Sequence, residues 1–180
     1  MAIELRYREL QHHEAELLRS IDRSEQIDEI YRSVDSTLIL EAVEYTVPSW
    51  PSSELTEYVS RLHAVMISGG HAYGAWDDTE IVGIASLDAS GVNGGNRTLK
   101  LDMLYVSSGY RGRGVGRKLT ELAAAQACSL GATSLYISAT PTRGTVEAYL
   151  RMGASVSASP DPELFEKEPE DIHLELRLGP

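Results

Sequence analysis

The 180-residue chain has a single cysteine, Cys128, so no disulfide can close within it, and no Cys/His spacing suggests a zinc site. No apolar stretch reaches the length of a signal peptide or a membrane span, and the opening MAIELRYRELQHHE is polar and charged. These absences predict a soluble, cytoplasmic, metal-free protein with no membrane partner. Positive charge is also scarce: 16 Lys and Arg face 27 Asp and Glu, a formal net charge of -11. That balance argues against nucleic-acid binding, which needs a basic footprint. It suits a cationic small substrate, although acidity also serves solubility alone. Neither an internal repeat nor an interdomain linker is visible. The 42% hydrophobic and 24% charged content is that of an ordinary globular protein. The length predicts one domain over 1–180.

The patterning predicts a mixed α/β chain. Residues 3–8 alternate as a strand and 11–21 read as a short helix. The β-rich runs 27–34 and 37–47 flank Asp35-Ser36, which predicts a hairpin. A helix follows Pro51 to about Ser68, with Leu55, Tyr58, Val59, Leu62, Val65 and Met66 at three- and four-residue intervals and Gly69-Gly70 beyond. A second hairpin joins 72–76 to 81–88. The stretch 90–96 is a glycine and asparagine loop, 98–106 alternates as a strand, and 114–130 is a helix carrying the stripe Val115, Leu119, Leu122, Ala123, Gln126 and Leu130. Cys128 reads as a small packing residue of that helix. A strand at 134–139, a helix from Pro141-Thr142 to Met152, an acidic loop over 159–171 and a strand at 172–178 complete the order. Two hairpins make the sheet partly antiparallel.

The densest positive cluster lies at 110–118, YRGRGVGRK, ahead of an alanine-rich helix. A helix start exposes unpaired N–H groups at the positive end of the dipole. Glycines let backbone turn and approach an anion, and arginines add bidentate contacts to phosphate oxygens. The segment therefore predicts a pyrophosphate site. The dinucleotide pattern G-x-G-x-x-G fails at Arg117, and no register supplies G-x-x-x-x-G-K-[ST], so a Rossmann-type dehydrogenase is disfavoured. What fits is R-x-x-G-x-G on Arg111, Gly114 and Gly116.

With the strand LDMLYVSSGYRGRGVGRKL (101–119) and the later SLYISATPTRGTVEAYLRMGA (134–154), residues 70–178 resemble the GNAT superfamily of acyl-CoA-dependent N-acetyltransferases. The resemblance implies a three-layer α/β/α fold whose mixed, mostly antiparallel sheet splays at the cofactor. It implies acetyl-CoA, or another acyl-CoA, as co-substrate. Leu104, Tyr105 and Val106 would offer main-chain groups to pantetheine and thioester, and the N–H groups of Arg111, Gly112, Arg113, Gly114, Val115 and Gly116 would hold the pyrophosphate, with Arg111, Arg113, Arg117 and Lys118 available for ionic contact. Thr142 stands where many relatives carry an asparagine. Residues 1–70, with their hairpin, depart from the usual helical pair and would shape the acceptor side. A homodimer is a common outcome for such domains.

The resemblance also implies direct acyl transfer to a primary amine of a small molecule or peptide. Tyr149 matches the tyrosine that protonates departing CoA; a core tyrosine packed with Val146 and Leu150 is the competing reading. Strand alternation places Lys100, Asp102, Leu104 and Val106 on one face. Asp102 is then the candidate base, against a buried ion pair with a nearby arginine. Glu168, Glu170, Asp171 and His173 form either an anionic mouth for a cationic acceptor or a solvated loop. Trp50 and Trp76 are candidates for the acceptor pocket, and His12, His13 and His71 read as surface or packing residues. The alternative to an enzyme is a catalytically silent acyl-CoA-binding module.

Overall fold

The computed structural model describes residues 4–95 and 97–179. Ile3 of the first expected strand and Asn96 of the glycine and asparagine loop lie outside the described residues.

The sheet strands are β1 (Arg6–Glu9), β4 (His71–Asp77), β5 (Glu80–Asp88), β6 (Thr98–Val106), β7 (Ser134–Ala139), β8 (Ser155–Val156) and β9 (Ile172–Arg177); β1, β6 and β9 alternate polar and apolar residues, whereas β4, β5 and β7 are near-continuous apolar runs buried on both faces. They form one seven-stranded sheet in the order β1-β4-β5-β6-β7-β9-β8. All neighbours are antiparallel except β6 and β7. A separate two-stranded ribbon joins β2 (Glu25–Val34) to β3 (Thr37–Val47) through Asp35 and Ser36, both at positive φ. Aspartate tolerates that conformation better than most residues, and it fits the tight turn expected there.

Helix α1 (Ser52–Ile67) buries Val59, Leu62, Val65 and Met66. With a 3-10 helix at His12–Ser20 it covers one face of the sheet, sharing a core with Ile81, Ile84 and Met103. Helices α2 (Val115–Ser129) and α3 (Arg143–Arg151) cover the other face, packing Val115, Leu119, Ala123 and Val146 against Val82, Leu99, Leu101 and Leu135. The architecture is the expected three-layer α/β/α.

Several details differ from the sequence reading. The segment 11–21 forms a 3-10 helix rather than an α-helix. Within 159–171 lies a short helix, α4 (Pro162–Lys167), capped by Asp161, whose carboxylate accepts from the N–H groups of Glu163 and Leu164. The buried stripe of α2 runs through Val115, Leu119, Thr120, Ala123 and Ala127, and Leu130 is exposed. Cys128 is exposed instead of packed. No helix among the described residues is long and apolar enough to cross a membrane.

Candidate active site

β6 and β7 start as partners and then separate. Their pairs are Thr98 with Ser134, Leu99 with Leu135 and Lys100 with Tyr136; beyond Lys100 the ladder stops. β5 still holds β6 out to Val106, and β9 still holds β7 out to Ala139. Each strand is supported on its outer side, so the gap between them is a fixed opening with unpaired backbone on both rims. Such edges invite an extended guest.

β6 is also irregular. Ser86 pairs with Met103 and Leu87 with Leu101, so Asp102 is an extra residue, a β-bulge. The expected alternation therefore breaks at Asp102. Lys100 and Asp102 share the α1 side, but Leu104 and Val106 turn to the α2 side, where both face Gly116. Tyr105 turns the opposite way, into an aromatic cluster with Trp50 and Tyr58 at centroid separations of 5.0 and 5.9 Å. Burial and the neighbouring Tyr58 raise the Tyr105 phenol far above its ordinary value. Trp50 is fixed by an N–H donated to the Ile21 carbonyl and carries the Arg23 guanidinium on its face. Trp76 lies elsewhere, buried under Arg8.

Asp102 is ion-paired. Arg61 of α1 donates from Nε and Nη2 to its two oxygens at 3.0 and 2.5 Å, and Lys100 Nζ stands 3.4 Å away. Only 5% of the Asp102 side chain is exposed. The bidentate fork supplies the compensation that a buried carboxylate needs.

After β6, a 3-10 turn at Ser108–Tyr110 and the glycine loop lead into α2. Gly112 and Gly114 have φ of 73° and 81°, and open space surrounds the position a Cβ would take at each. Among the described residues, the backbone N–H groups of residues 112–117 meet no partner; the helix ladder begins with Lys118 donating to Gly114. An anion cradle thus exists at the helix start. Its arginines divide. Arg111 donates to the carbonyls of Val106 and Ser24, fastening the loop to β6 and to the segment before β2. Arg113 lies over Tyr110, and Arg117 pairs with Glu121 on the exposed side of α2. Asp22 staples the same junction: it accepts from Ser108 Oγ and the Ser24 N–H, which hold its carboxyl down at about 2.

On the far rim, Thr142 caps α3 through the Thr145 N–H and bridges to Ile30 of the ribbon. Tyr31 donates its N–H to the Pro141 carbonyl, and Arg143 pairs with Glu29. The ribbon is thereby tied to the start of α3. Tyr149 is buried among the residues packed on α3, and burial raises its phenol well above the ordinary value, so it stays protonated. Ser138 of β7 has a buried hydroxyl without a partner, beyond the last β6 pair.

The acidic group at 168–173 separates. Glu170 pairs with Arg32 in solvent. His173 is enclosed, with its ring nitrogens on the Tyr136 hydroxyl and the Glu168 carbonyl. Glu168 turns towards Arg61 and Lys100. Asp171 is pushed up to about 6 by burial and by Glu168. His71 pairs with Glu9 and Gln126, away from the gap. Sequence reading missed Arg61, Lys100 and the Tyr58–Tyr105 contact. Arg61 follows Tyr58 by one helical turn on the α1 face, the one signal that marked it. Among the described residues no three metal-ligating side chains gather.

The family model described as the acetyltransferase (GNAT) family matches residues 35–154. No curated protein sequence matches the chain. Among solved structures, nourseothricin acetyltransferase superposes with a TM-score of 0.73 at 24% identity, covering 97% of this chain and 99% of that one. A Bacillus anthracis protein named as a streptothricin acetyltransferase, in complex with acetyl coenzyme A, gives 0.65 at 18% identity over 97% and 99%. The PaiA N-acetyltransferase of Thermoplasma acidophilum, in complex with coenzyme A, gives 0.61 at 13% identity over 97% and 99%. These structures share the fold, and the sequence match covers the gap, the glycine loop and α3: the chain belongs to the acetyltransferase (GNAT) family and is an acyltransferase.

Proposed function

We propose that the protein transfers an acetyl group from acetyl-CoA directly to a primary amine of a small molecule or peptide. The observation that carries this reading is the β6–β7 gap leading straight to an N–H cradle at the start of α2. The residues present fit the co-substrate: an unpaired strand edge for the pantetheine amides, and unpartnered N–H groups with space beside Gly112 and Gly114 for the pyrophosphate. That the solved neighbours named above include complexes with acetyl coenzyme A and coenzyme A supports the same donor. Acetyl-CoA supplies an activated thioester.

The chain's own residues divide the work. Main-chain groups of Leu104, Tyr105 and Val106 line the acyl end. The N–H groups of Gly112, Arg113, Gly114, Val115, Gly116 and Arg117 hold phosphate, and the Arg113, Arg117 and Lys118 side chains would exchange their present partners, Tyr110 and Glu121, to reach it from the rim. Arg111 shapes the loop through its two carbonyl contacts. Thr142 caps α3 and so sets the far rim, without the amide that an asparagine would add. Tyr149, protonated, donates a hydrogen bond to the departing sulfur. Asp102, held by Arg61, orients that arginine, and the acceptor's proton leaves by a water chain in place of the base expected at Asp102. Residues 1–70 form the acceptor side, since the ribbon and α1 frame the gap, and 70–178 form the donor core of a single domain.

Calorimetric titration of the purified protein with acetyl-CoA, with NADH as control, tests the reading. We expect micromolar binding of acetyl-CoA alone. An intact protein that binds neither ligand would remove the donor site and the activity with it. A silent acyl-CoA-binding module would bind the donor and release no CoA with any amine.

A further inference from the structure

A cavity of about 340 Å³ opens on the α1 side of the sheet, at the point where β6 leaves β7. Arg61, Asp88, Lys100, Asp102, Lys167 and Glu168 supply its polar lining. Two of these groups have unused bonding capacity. The Lys100 side chain is only 10% exposed, yet its ammonium makes no hydrogen bond among the described residues. It lies 3.4 Å from Asp102 and 3.8 Å from Glu168 Oε2 in charge contacts alone. Glu168 Oε2 is buried with no hydrogen-bond partner. Buried polar groups are almost always paired, and leaving one unpaired is costly.

We propose that this cavity is the acceptor subsite and that Lys100 and Glu168 select amines bearing a hydroxyl or carboxamide group. The inference rests on the acyl-transfer reading above. Lys100 offers a donor and Glu168 an acceptor. At 3.8 Å the ammonium and Oε2 are too far apart to satisfy one another, so a guest group can bridge ammonium and carboxylate. A hydroxyl accepts from the ammonium and donates to the carboxylate; a primary carboxamide does the same with its two ends. Oε2 itself is buried, so the guest meets Oε1, which makes no hydrogen bond among the described residues.

Charge decides against a second cation here. Asp88, Asp102 and Glu168 stand against Arg61, Lys100 and Lys167, so the lining is formally balanced. An ammonium drawn to Glu168 would meet Lys100 and Arg61 at the same carboxylate. A plain alkyl group would leave both polar atoms desolvated and unpaired. The neutral group with both a donor and an acceptor is the best match. The reacting amine then projects from the cavity towards the gap, since Lys100 and Asp102 stand where the β6–β7 pairing ends.

The test is CoA release from acetyl-CoA by the full chain with four amines: glucosamine and glycinamide against cyclohexylamine and 1,3-diaminopropane. We expect kcat/KM at least roughly tenfold higher for the first pair, as a site built to bond a polar group rejects analogues lacking it. Glu168→Leu and Lys100→Met should each reduce that preference to within about twofold while leaving acetyl-CoA affinity unchanged by calorimetry. Glu168 is partly exposed, so its variant carries the test should Lys100→Met fail to fold. Equal rates across the panel, a preference for the diamine, or acetyl-CoA binding with no turnover of any amine would each overturn the subsite. Loss of acetyl-CoA binding in the native protein would instead overturn the donor reading on which it rests.

Discussion

The Arg61–Asp102 pair gives the sharpest physical test of the site. Replacing Arg61 by Met removes the guanidinium and keeps most of the stem's apolar packing. It leaves a carboxylate whose side chain is 5% exposed, with Lys100 at 3.4 Å as its remaining charged neighbour. Breaking a fully buried pair costs about 3–5 kcal/mol. Arg61 is 37% exposed and Lys100 remains, so solvent screening brings the expected cost to about 2–3 kcal/mol. Asp102→Asn keeps the shape and leaves an arginine that can reach water, at about 1–2 kcal/mol. The double variant should cost less than the sum, with a coupling of about 1–2 kcal/mol. Urea unfolding measures all three, and unchanged m-values would locate the effect in the folded state. Thermal midpoints should fall by ~4–10 °C for Arg61→Met in a chain of this size. An Arg61→Met protein within about 0.5 kcal/mol of the native one would refute the argument that the fork pays for burying Asp102.

Three further outcomes are expected. Gly114→Glu forces a side chain onto φ of 81° and sets a negative charge in the N–H cradle; acetyl-CoA binding should vanish in calorimetry while the fold survives by circular dichroism, and retained affinity would refute the loop assignment. Tyr149→Phe should lower turnover by about 10²–10⁴-fold with little change in KM, and an unchanged rate would leave the residue as core packing. Asp171 titrates at about 6 in the folded protein against 3.8 for the ordinary group, so the folded state keeps a proton that the unfolded state releases, and stability falls as pH rises across that interval. Asp171→Asn should therefore gain about 1 kcal/mol at pH 8, after screening, and nothing below pH 3.8. Unfolding curves at the two pH values decide it, and a gain of equal size at both would count against burial as the cause.

Much of this was legible from local chemistry. The ribbon turn at Asp35-Ser36, the helix after Pro51 and the glycine loop each follow from short-range rules of φ, capping and periodicity, and all three stand where those rules place them. The bulge at Asp102 was not legible. An inserted residue leaves no compositional mark, and the alternation of LDMLYV reads as continuous when it is broken. The partner of Asp102 was foreseen only as some arginine, because its identity depends on how α1 lies across β6. The acidic residues at 168–173 looked alike in sequence, yet tertiary packing gives Glu168, Glu170, Asp171 and His173 four different surroundings. The Asp161-Pro162 pair did carry a helix-start signal, obscured by the acidic, proline-rich run around it.

The bulge divides β6 into two half-strands on one backbone. Lys100 belongs to the acceptor cavity, whereas Leu104 and Val106 face the helix that carries the phosphate cradle. Each surface can therefore drift on its own: an altered side chain at 100 leaves the α2 interface alone, and one at 104 leaves the cavity alone. A change of length at the bulge need not disturb them either. Deleting Asp102 would restore a regular ladder and leave Met103 to Val106 on their present faces, with the loss of the carboxylate that holds Arg61. The bulge thus adds one acidic side chain to the α1 surface without moving any residue beyond it.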